Sequence, residues 1–238
     1  MREKIIGVIG GMGPEATLDF FSKVIKNTPA TKDQEHLRMI IDNNPKVPDR
    51  TAAILGKGES PVEVMAESGQ ALARAGADFV VIPCVSAHYF LDELRAKLTL
   101  PILSAFDAIA SLIQREFPAM RTVGLLATKG TIQGGRFADK IREKGLTVIV
   151  PGPADQDRVM GAIYKIKGSA SNSQLRDDIT KTLVDVAHRL RDQGAEGIIA
   201  GCTEIPLVLK PEHLSVPLFD SLLILAQAAI REARGQGR

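Results

Sequence analysis

The sequence predicts an α/β fold of two pseudo-symmetric domains that arose by internal duplication, each a parallel sheet flanked by helices. Two observations predict it. Short, apolar, β-rich runs alternate with segments of helical periodicity along the 238 residues. In addition, one pattern occurs twice: GADFVVIPCVSAH ends an apolar run at Cys84, and GAEGIIAGCTEIP ends another at Cys202. The chain has only these two cysteines, and they occupy equivalent places.

The repeat extends beyond the cysteines. Further landmarks are separated by nearly the same number of residues, namely Gly7 and Gly124, Phe20 and Phe137, and Pro101 and Pro217. Any α/β protein repeats strand-loop-helix units, but a constant spacing favours duplication. We therefore expect a first domain of residues 1–99 with 215–238, a second domain of residues 100–214, and an active site in the cleft between them.

In the first half, strands and helices are expected to alternate from the N-terminus. Pro14 suits the first turn of a helix, where a missing N–H costs little, and Gly76 suits a helix end. Strands are expected at 5–9, 37–41, 79–82 and 101–103, and helices after Pro14 and at 61–75, 88–97 and 105–117.

The second half repeats this alternation. Strands are expected at 122–126, 147–150, 197–200 and 216–219, and helices at 131–144, at 175–191 and after Asp220. The 175–191 helix is amphipathic. The segment 168–173 (GSASNS) is the most loop-like, and the IYKIKGS run before and within it is expected to be poorly ordered.

Composition excludes several classes of protein. The net charge is +2, no run of like charge occurs, and aromatic residues make up 4%, so nucleic acid is not an expected partner. No apolar stretch reaches about 18 residues, which argues against a membrane span. The chain has no signal-peptide pattern and two cysteines, which favours reduced thiols and a cytoplasmic location.

Polar or glycine-rich segments follow five of the expected strands, where open parallel sheets bind ligands. These segments are 10–17, 42–50, 84–88, 128–131 and 202–204, and they would converge on one crevice if the two halves face each other. The candidate substrate-binding residues are Gly11, Met12, Gly13, Asn43, Arg50, Val85, Ser86, Thr128, Thr131, Lys167, Thr203 and Glu204.

Each cysteine follows a strand and precedes an expected helical segment, whose N-terminus would favour the thiolate. A single such cysteine is more often a buried structural residue. Two at matched positions predict two opposed acid/base groups around one substrate. A metal held by Cys84 and His88 would need further ligands that the neighbourhood does not offer, so no metal is expected.

The glycine motif has two interpretations. Gly11, Gly13 and Ala16 fit the spacing of a dinucleotide loop, but the next acidic strand end, Asp42, lies further along than such loops require. Backbone N–H groups at a helix start hold a phosphate or carboxylate more generally, so an anion site is favoured over a nucleotide site, with a purely structural turn as the alternative.

The remaining candidates have structural alternatives. Arg50 and Lys167 are either a carboxylate clamp or solvated surface cations. Thr128 and Thr131 either cap a helix or donate to a ligand, and capping is the safer interpretation. His88 either tunes Cys84 or caps its helix. Glu204 either orients a substrate ammonium or favours a helix N-terminus.

These motifs together resemble the aspartate/glutamate racemase family, nearest its aspartate racemase branch. The matching elements span nearly the whole chain: GVIGGMGPEAT, IDNNPKVPDRT, PCVSAH, LATKGTI, GCTEIPL and VPLFDS. The resemblance implies two pseudo-symmetric α/β domains, a homodimer, and no pyridoxal phosphate, flavin or metal. It also implies that Cys84 and Cys202 are the acid/base pair and that Arg50 and Lys167 bind carboxylate.

Two motif details bear on the substrate. The second cysteine motif reads GCTE, as in aspartate racemases, where glutamate racemases have His after the Thr. The first reads PCVSAH, so Val85 and Ser86 stand where the family motif PCNTAH has Asn and Thr. The first detail favours aspartate, and the second leaves the substrate open.

The sequence therefore predicts a cofactor-independent amino-acid racemase, an isomerase, that acts on aspartate by two-cysteine proton transfer at Cα. Alternatives within the superfamily are enzymes acting on glutamate, on several amino acids, on hydantoins or on maleate. Outside it, the alternatives are a non-catalytic protein that binds small dicarboxylates and a thiol-redox protein with a Cys84–Cys202 disulfide.

Overall fold

A computed structural model describes residues 2–168 and 173–236, with side chains from 175 onward in the second range. The chain divides into two compact units: unit 1 is Met1–Ala108 with Leu222–Arg238, and unit 2 is Ile109–Ser221. The domain boundaries expected from the sequence, after residues 99 and 214, precede the boundaries of these units, which follow Ala108 and Ser221. Most of the loop expected at 168–173 lies outside the described residues, although its ends, Gly168 and Ser173, are helical.

Unit 1 contains a parallel sheet of order β2-β1-β3. Its strands are β1 (Ile6–Gly10), β2 (Met39–Asn43) and β3 (Phe79–Val81). Its helices are α1 (Pro14–Asn27), α2 (Arg50–Ile54), α3 (Val62–Arg74), α4 (Leu91–Lys97) and the start of α5 (Ala105–Glu116). Short 3₁₀ helices cover Asp33–Glu35 and Val85–Phe90.

The sheet of unit 1 is covered on both faces. Every residue of β1 is buried. Because side chains alternate along a strand, Val8 lies in one apolar cluster with Phe20, while Ile9 lies in another with Met65. A central parallel strand with two buried faces must be apolar throughout, which explains the continuous run at the N-terminus.

Unit 2 contains a second parallel sheet, of order β5-β4-β6-β7. Its elements are β4 (Thr122–Leu126), α6 (Lys129–Gly134), α7 (Arg136–Arg142), β5 (Thr147–Ile149), α8 (Pro153–Gly168), α9 (Ser173–Asp192), β6 (Ile198–Ala200) and β7 (Leu218–Asp220). Helix α10 (Ser221–Ala233) follows β7 and belongs to unit 1 from Leu222 onward. Its apolar face packs in the same cluster as residues of β1 and β3. Further 3₁₀ helices cover Ile205–Leu207 and Pro211–His213.

The two sheets share one topology, as the sequence repeat predicts. In each, the first strand is central and the second lies at an edge. Matched residues also form matched pairs: Gly7 with Val80 and Gly124 with Ile198, then Val80 with Ile102 and Ile198 with Leu218. The predicted α/β fold of parallel sheets flanked by helices is confirmed.

Three predicted elements differ from the structure. The expected helix at 131–144 is two helices, because Gly135 has φ of +74° and cannot continue an α-helix. The expected helix at 88–97 begins as the 3₁₀ helix Val85–Phe90 and becomes α4 only at Leu91. The expected strand at 101–103 is a single bridge at Ile102.

The prediction that the IYKIKGS segment, which contains Lys167, is poorly ordered was wrong for residues 163–168, and residue 169 lies outside the described residues. Residues of the IYKIKG run form the last turns of the 16-residue helix α8. The interior Gly161 and the buried polar Gln156 interrupt the apolar periodicity, which hides this helix in the sequence. In the described part of the chain, every helix is too short or too polar to span a bilayer.

Candidate active site

Cys84 lies in a tight loop at the carboxyl end of β3. Its N–H donates to the carbonyl of Ile82 at 2.7 Å, and the 3₁₀ helix Val85–Phe90 begins at the next residue. The thiol is buried, and its Sγ lies 3.4 Å from the hydroxyl of Ser86. The Val85 side chain is buried as well. Cys84 and Ser86, both predicted site residues, are therefore in contact.

His88 fixes this loop rather than contacting the thiol. Nδ1 accepts from the N–H of Ala105, the first residue of α5, at 3.2 Å, so Nε2 carries the proton and faces the Ile82 carbonyl at 3.1 Å. Burial lowers the pKa of His88 to about 4, which keeps the ring neutral. Of the two predicted roles, the structure supports capping, but the helix that His88 caps is α5.

The glycine loop after β1 is held by the Thr17 hydroxyl and by close packing against the backbone of Asn44. Gly11 has φ of +92°, and its N–H donates to the buried Thr17 hydroxyl at 2.9 Å. A Cβ at Gly11 would lie 2.3 Å from the backbone of Asn44, so only glycine fits. Gly13 then forms the N-cap of α1, with Pro14 in the first turn as expected. These contacts establish the structural turn, and the anion site stays a prediction.

Arg50 is a buried cation held by carbonyl groups. It opens α2, where Asp49 caps the helix by accepting from the N–H of Ala52 at 2.7 Å. Its guanidinium donates to the carbonyls of Val47 at 3.0 Å, Pro48 at 2.9 Å and, from Nη2, Met12 at 3.4 Å.

Two features of Arg50 distinguish it from a solvated surface cation. Only 8% of the residue is exposed. Within the described residues, its Nε–H has no hydrogen-bond partner and the guanidinium meets no carboxylate. A buried cation without a counterion is costly, so this position is suited to an anionic ligand.

Cys202 lies in the equivalent loop after β6, and its thiol has a different partner. Sγ donates to Oε2 of Glu204 at 2.9 Å, and the hydroxyl of Thr203 donates to the same oxygen at 3.2 Å. Nζ of Lys167 lies 3.5 Å from the other carboxylate oxygen. Cys202, Thr203 and Glu204 are all buried. The structure thus joins four predicted site residues in one network.

This network raises the pKa of the Cys202 thiol well above its ordinary value. Burial is the largest cause and the negative charge of Glu204 is the next, while the charge of Lys167 opposes them. The prediction that a helix N-terminus favours the thiolate was therefore wrong for Cys202. No α-helix begins there: the following helix is the three-residue 3₁₀ turn Ile205–Leu207.

The predicted threonines cap a helix. Thr128 is the N-cap of α6 and accepts from the N–H of Thr131 at 3.2 Å, and the two buried hydroxyls lie 3.1 Å apart. Asn43 is exposed at the end of β2, where it pairs with Gly10. Both cysteines are free thiols. Among the described residues, no cluster of three or more His, Cys, Asp or Glu side chains is arranged to hold a metal.

Comparison with known proteins identifies the family of this chain. The family model described as Asp/Glu/hydantoin racemase matches residues 9–229. The chain belongs to this racemase family. Racemases are isomerases, so the predicted class of enzyme is confirmed, and the family resemblance seen in the cysteine and glycine motifs is confirmed with it.

This chain is similar to individual racemases and racemase homologues over nearly the whole length of both proteins. The Picrophilus torridus aspartate racemase structure has 31% identity and a TM-score of 0.86, covering 97% of this chain and 94% of that one. An aspartate racemase homologue from Pyrococcus horikoshii has 29% identity and a TM-score of 0.77, covering 97% and 99%. The broad specificity amino-acid racemase of Bacillus subtilis is 26% identical over 95% of this chain and 96% of its own.

Sequence reasoning missed one polar residue beside this racemase-family site. Gln156, in the first turn of α8, is buried, and its Nε2 donates to the carbonyl of Ala127 at 2.9 Å, next to Thr128. The available signal was its spacing from Lys167: residues 156, 163 and 167 lie on one face of a helix. That signal was unusable because α8 itself was not predicted.

We predict opposite effects of Glu204→Gln and Lys167→Met on the Cys202 thiol. Losing the Glu204 charge lowers the pKa of Cys202, and losing the Lys167 charge raises it. Because the thiolate is the nucleophile, iodoacetamide should label Cys202 faster in Glu204→Gln than in wild type and slower in Lys167→Met, by about 10-fold for each pKa unit gained or lost. Peptide mass spectrometry measures both rates.

The labelling of Cys84 in the same samples is the internal control, since it reports any general change in exposure. Equal rates at Cys202 in all three proteins, or changes of one sign in both variants, would contradict control of this thiol by the two charges.

Proposed function

We propose that this chain is a cofactor-independent amino-acid racemase, and that aspartate is its substrate. The observation that carries the proposal is the contact of the buried Cys202 with the buried Glu204, which the exposed Lys167 also contacts, at the position equivalent to Cys84. Similarity to the Picrophilus torridus aspartate racemase over nearly the whole chain supports the choice of substrate. The GCTE form of the second motif supports it further.

The reaction requires one acid and one base. The pKa of Cys202 is raised, so this thiol is protonated at rest and is the acid. In our proposal Cys84 is the base: its thiolate takes the Cα proton and becomes a thiol. The Cys202 S–H bond then breaks as its proton is delivered to the opposite face of Cα. The product is the other enantiomer, and one proton has moved in net from Cys202 to Cys84. Proton exchange with water resets the pair before the next turnover in the same direction.

The reverse direction needs Cys202 as the base, and Glu204 makes this feasible. The carboxylate already accepts the thiol hydrogen bond at 2.9 Å, so it is positioned to receive the proton. Lys167 lies 3.5 Å from its other oxygen and compensates the one negative charge that the Cys202 sulfur and the Glu204 carboxyl group then share. The three side chains can thus hold the proton on either sulfur or oxygen, which a reversible racemase requires.

The carboxylates of the substrate require cationic or N–H donors. Arg50 fits this role, because its buried guanidinium keeps an unpartnered Nε–H and has only neutral carbonyls as partners among the described residues. In the proposal, Lys167 exchanges its contact with Glu204 for a substrate carboxylate. Positive charge near the substrate carboxylates stabilises the carbanion formed at Cα.

A second candidate is racemisation of several amino acids rather than aspartate alone. The specific observation is Val85, a buried apolar side chain beside Cys84 where the family motif has a polar Asn. An apolar wall offers no hydrogen bond to a second carboxylate. The similarity to the broad specificity racemase of Bacillus subtilis favours the same interpretation.

For either substrate range, we propose that the enzyme is located in the cytoplasm, because its two free thiols suit a reducing compartment.

We predict that wild-type protein incorporates deuterium at Cα of both L- and D-aspartate in D₂O. Cys84→Ala and Cys202→Ala should each lower racemisation to background, because either loss removes one side of the proton transfer. Proton NMR measures exchange and chiral chromatography measures inversion. Ser111→Ala, an exposed change on α5, is the control and should retain full activity.

Two outcomes would contradict the proposal. Exchange with other amino acids but not with aspartate would transfer the assignment to the second candidate. Stabilisation by dicarboxylates with no exchange for any amino acid, unchanged in Cys84→Ala, would identify a binding protein instead.

We also propose a homodimer, which pairs α1 with its copy. Leu18, Phe21 and Ile25 recur at three- and four-residue spacing and are 63%, 38% and 41% exposed, so α1 presents an apolar stripe. Glu15 and Lys26 lie along one flank of the stripe, both exposed and, within the described chain, without an ion pair.

A twofold axis beside Phe21 makes this surface complementary to itself. Two antiparallel copies of α1 would place Leu18 against the partner's Ile25. The same axis would place Glu15 beside the partner's Lys26. Apolar contact and charge complementarity then arise from one arrangement, which is the property of an isologous interface.

We predict that Phe21→Asp shifts the protein from dimer to monomer in sedimentation velocity, because it buries a charge at the centre of the stripe. Val150→Asp, at a similarly exposed apolar residue of unit 2, is the matched control and should stay dimeric. Glu15→Lys and Lys26→Glu should each weaken the dimer, and their combination should restore it. A wild-type monomer, or a double variant weaker than either single one, would contradict this interface.

A further inference from the structure

The amide of Gln156 has one satisfied end and one unsatisfied end. Nε2 donates to the carbonyl of Ala127 at 2.9 Å. Oε1 is buried and has no hydrogen-bond donor among the described residues, and only 7% of the residue is exposed. The opposite orientation of the amide would set Oε1 against the carbonyl oxygen of Ala127, so the observed orientation is fixed.

A buried acceptor of this kind requires a donor. An amide oxygen that is unpaired inside a protein has lost its hydrogen bonds to water without replacing them, and native structures rarely keep such groups. The hydroxyls of Thr128 and Thr131 lie 3.1 Å from each other, and neither is a hydrogen-bond partner of Oε1. The position of Oε1 therefore suits a ligand that brings its own N–H.

Gln156 lies next to the Cys202 loop. Its partner Ala127 follows β4, and Gly201 follows the neighbouring strand β6, with its N–H donating to Leu126 at 2.7 Å. The two loops touch: a Cβ built on Gly201 would lie 3.1 Å from Cβ of Ala127. Gly201 immediately precedes Cys202. The Gln156 amide therefore contacts a residue, Ala127, that itself lies against the Cys202 loop.

Helix α8 contacts both loops through polar side chains on one of its faces. Gln156 in its first turn reaches the loop after β4, and Lys167 in its last turn reaches Glu204 in the loop after β6. Ile163, between them in the sequence, is fully buried, which anchors this face of the helix. The helix thus presents a neutral acceptor and a cation at the carboxyl ends of two adjacent strands.

We propose that Oε1 of Gln156 accepts a hydrogen bond from the α-ammonium group of the amino-acid substrate. The assignment rests on the proposed racemase function and names how that site distinguishes an amino acid from a plain dicarboxylic acid. An amide oxygen repels carboxylates and attracts an ammonium group. The charged acceptor of the Cys202 loop, Glu204, is already bonded to Cys202, Thr203 and Lys167.

A neutral acceptor also suits the chemistry at Cα. Removing the Cα proton is easier while the neighbouring nitrogen stays positively charged, because the ammonium group withdraws electron density from the forming carbanion. A carboxylate at this position would cancel that charge or take a proton from it. An amide oxygen orients the ammonium group and leaves it protonated.

The test compares two ligands that differ only in the ammonium group, aspartate and succinate. Calorimetric dissociation constants are measured for wild type and for Gln156→Met, which keeps the side-chain length and removes the acceptor. Interconversion of enantiomers has no net enthalpy, so turnover does not disturb the titration. We expect Gln156→Met to weaken aspartate binding about 10-fold and to leave succinate binding unchanged.

Two further variants control for folding. Gln193→Met makes the same change at an exposed residue after α9 and should alter neither constant. Gln156→Glu keeps an acceptor oxygen but loses the donor to Ala127. It should lower stability in urea while keeping or strengthening the preference for aspartate over succinate, because a carboxylate oxygen also accepts from an ammonium group and repels a second carboxylate. A purely structural role would move both ligands together in both Gln156 variants.

Equal weakening of aspartate and succinate in Gln156→Met, or no weakening of either, would overturn the assignment. Failure of the proposed function gives a different result: wild-type protein would bind aspartate without exchanging its Cα proton. A wild-type protein that binds neither ligand would overturn both.

Discussion

The proposed proton transfer depends on one hydrogen bond, from the buried thiol of Cys202 to the carboxylate of Glu204. Burial alone makes a thiolate unfavourable, and a carboxylate 2.9 Å away makes it more so. The same carboxylate can accept the thiol proton of Cys202. The positive charge of Lys167 reduces the repulsion between a Cys202 thiolate and the Glu204 carboxylate. A thiol that is protonated at rest and connected to a base is what a two-sided proton transfer needs on its acid side.

The repeated fold supplies this thiol and its counterpart but does not surround them equally. Both cysteines follow a strand adjacent to the central strand of their sheet. Cys84 contacts the hydroxyl of Ser86, whereas Cys202 contacts a charged group. The cations differ too: Arg50 is held by backbone carbonyls, and Lys167 pairs with Glu204. In the proposed reaction, these different neighbours make Cys202 the acid and leave Cys84 as the base.

Much of the fold was predictable from sequence because it rests on local patterns. Apolar runs ending at glycine or cysteine mark buried parallel strands, and the constant spacing of Gly7/Gly124 and Cys84/Cys202 predicts two sheets of one topology. Helix α8 was not predictable, because Gly161 and the buried Gln156 break its apolar periodicity. The protonation of Cys202 was not predictable either, since it depends on how deeply the thiol is buried, on its contact with the Glu204 charge and on a lysine distant in sequence.

The resting protonation of Cys202 tests this account most directly. The ultraviolet absorbance of thiolate can be followed against pH in wild type and in Cys202→Ser, and the difference isolates the one sulfur. The account predicts no Cys202 thiolate up to and beyond the pH at which an ordinary cysteine, with a pKa of about 8.5, ionises. A Cys202 thiolate already formed at or below neutral pH would contradict it and exchange the roles of the two thiols.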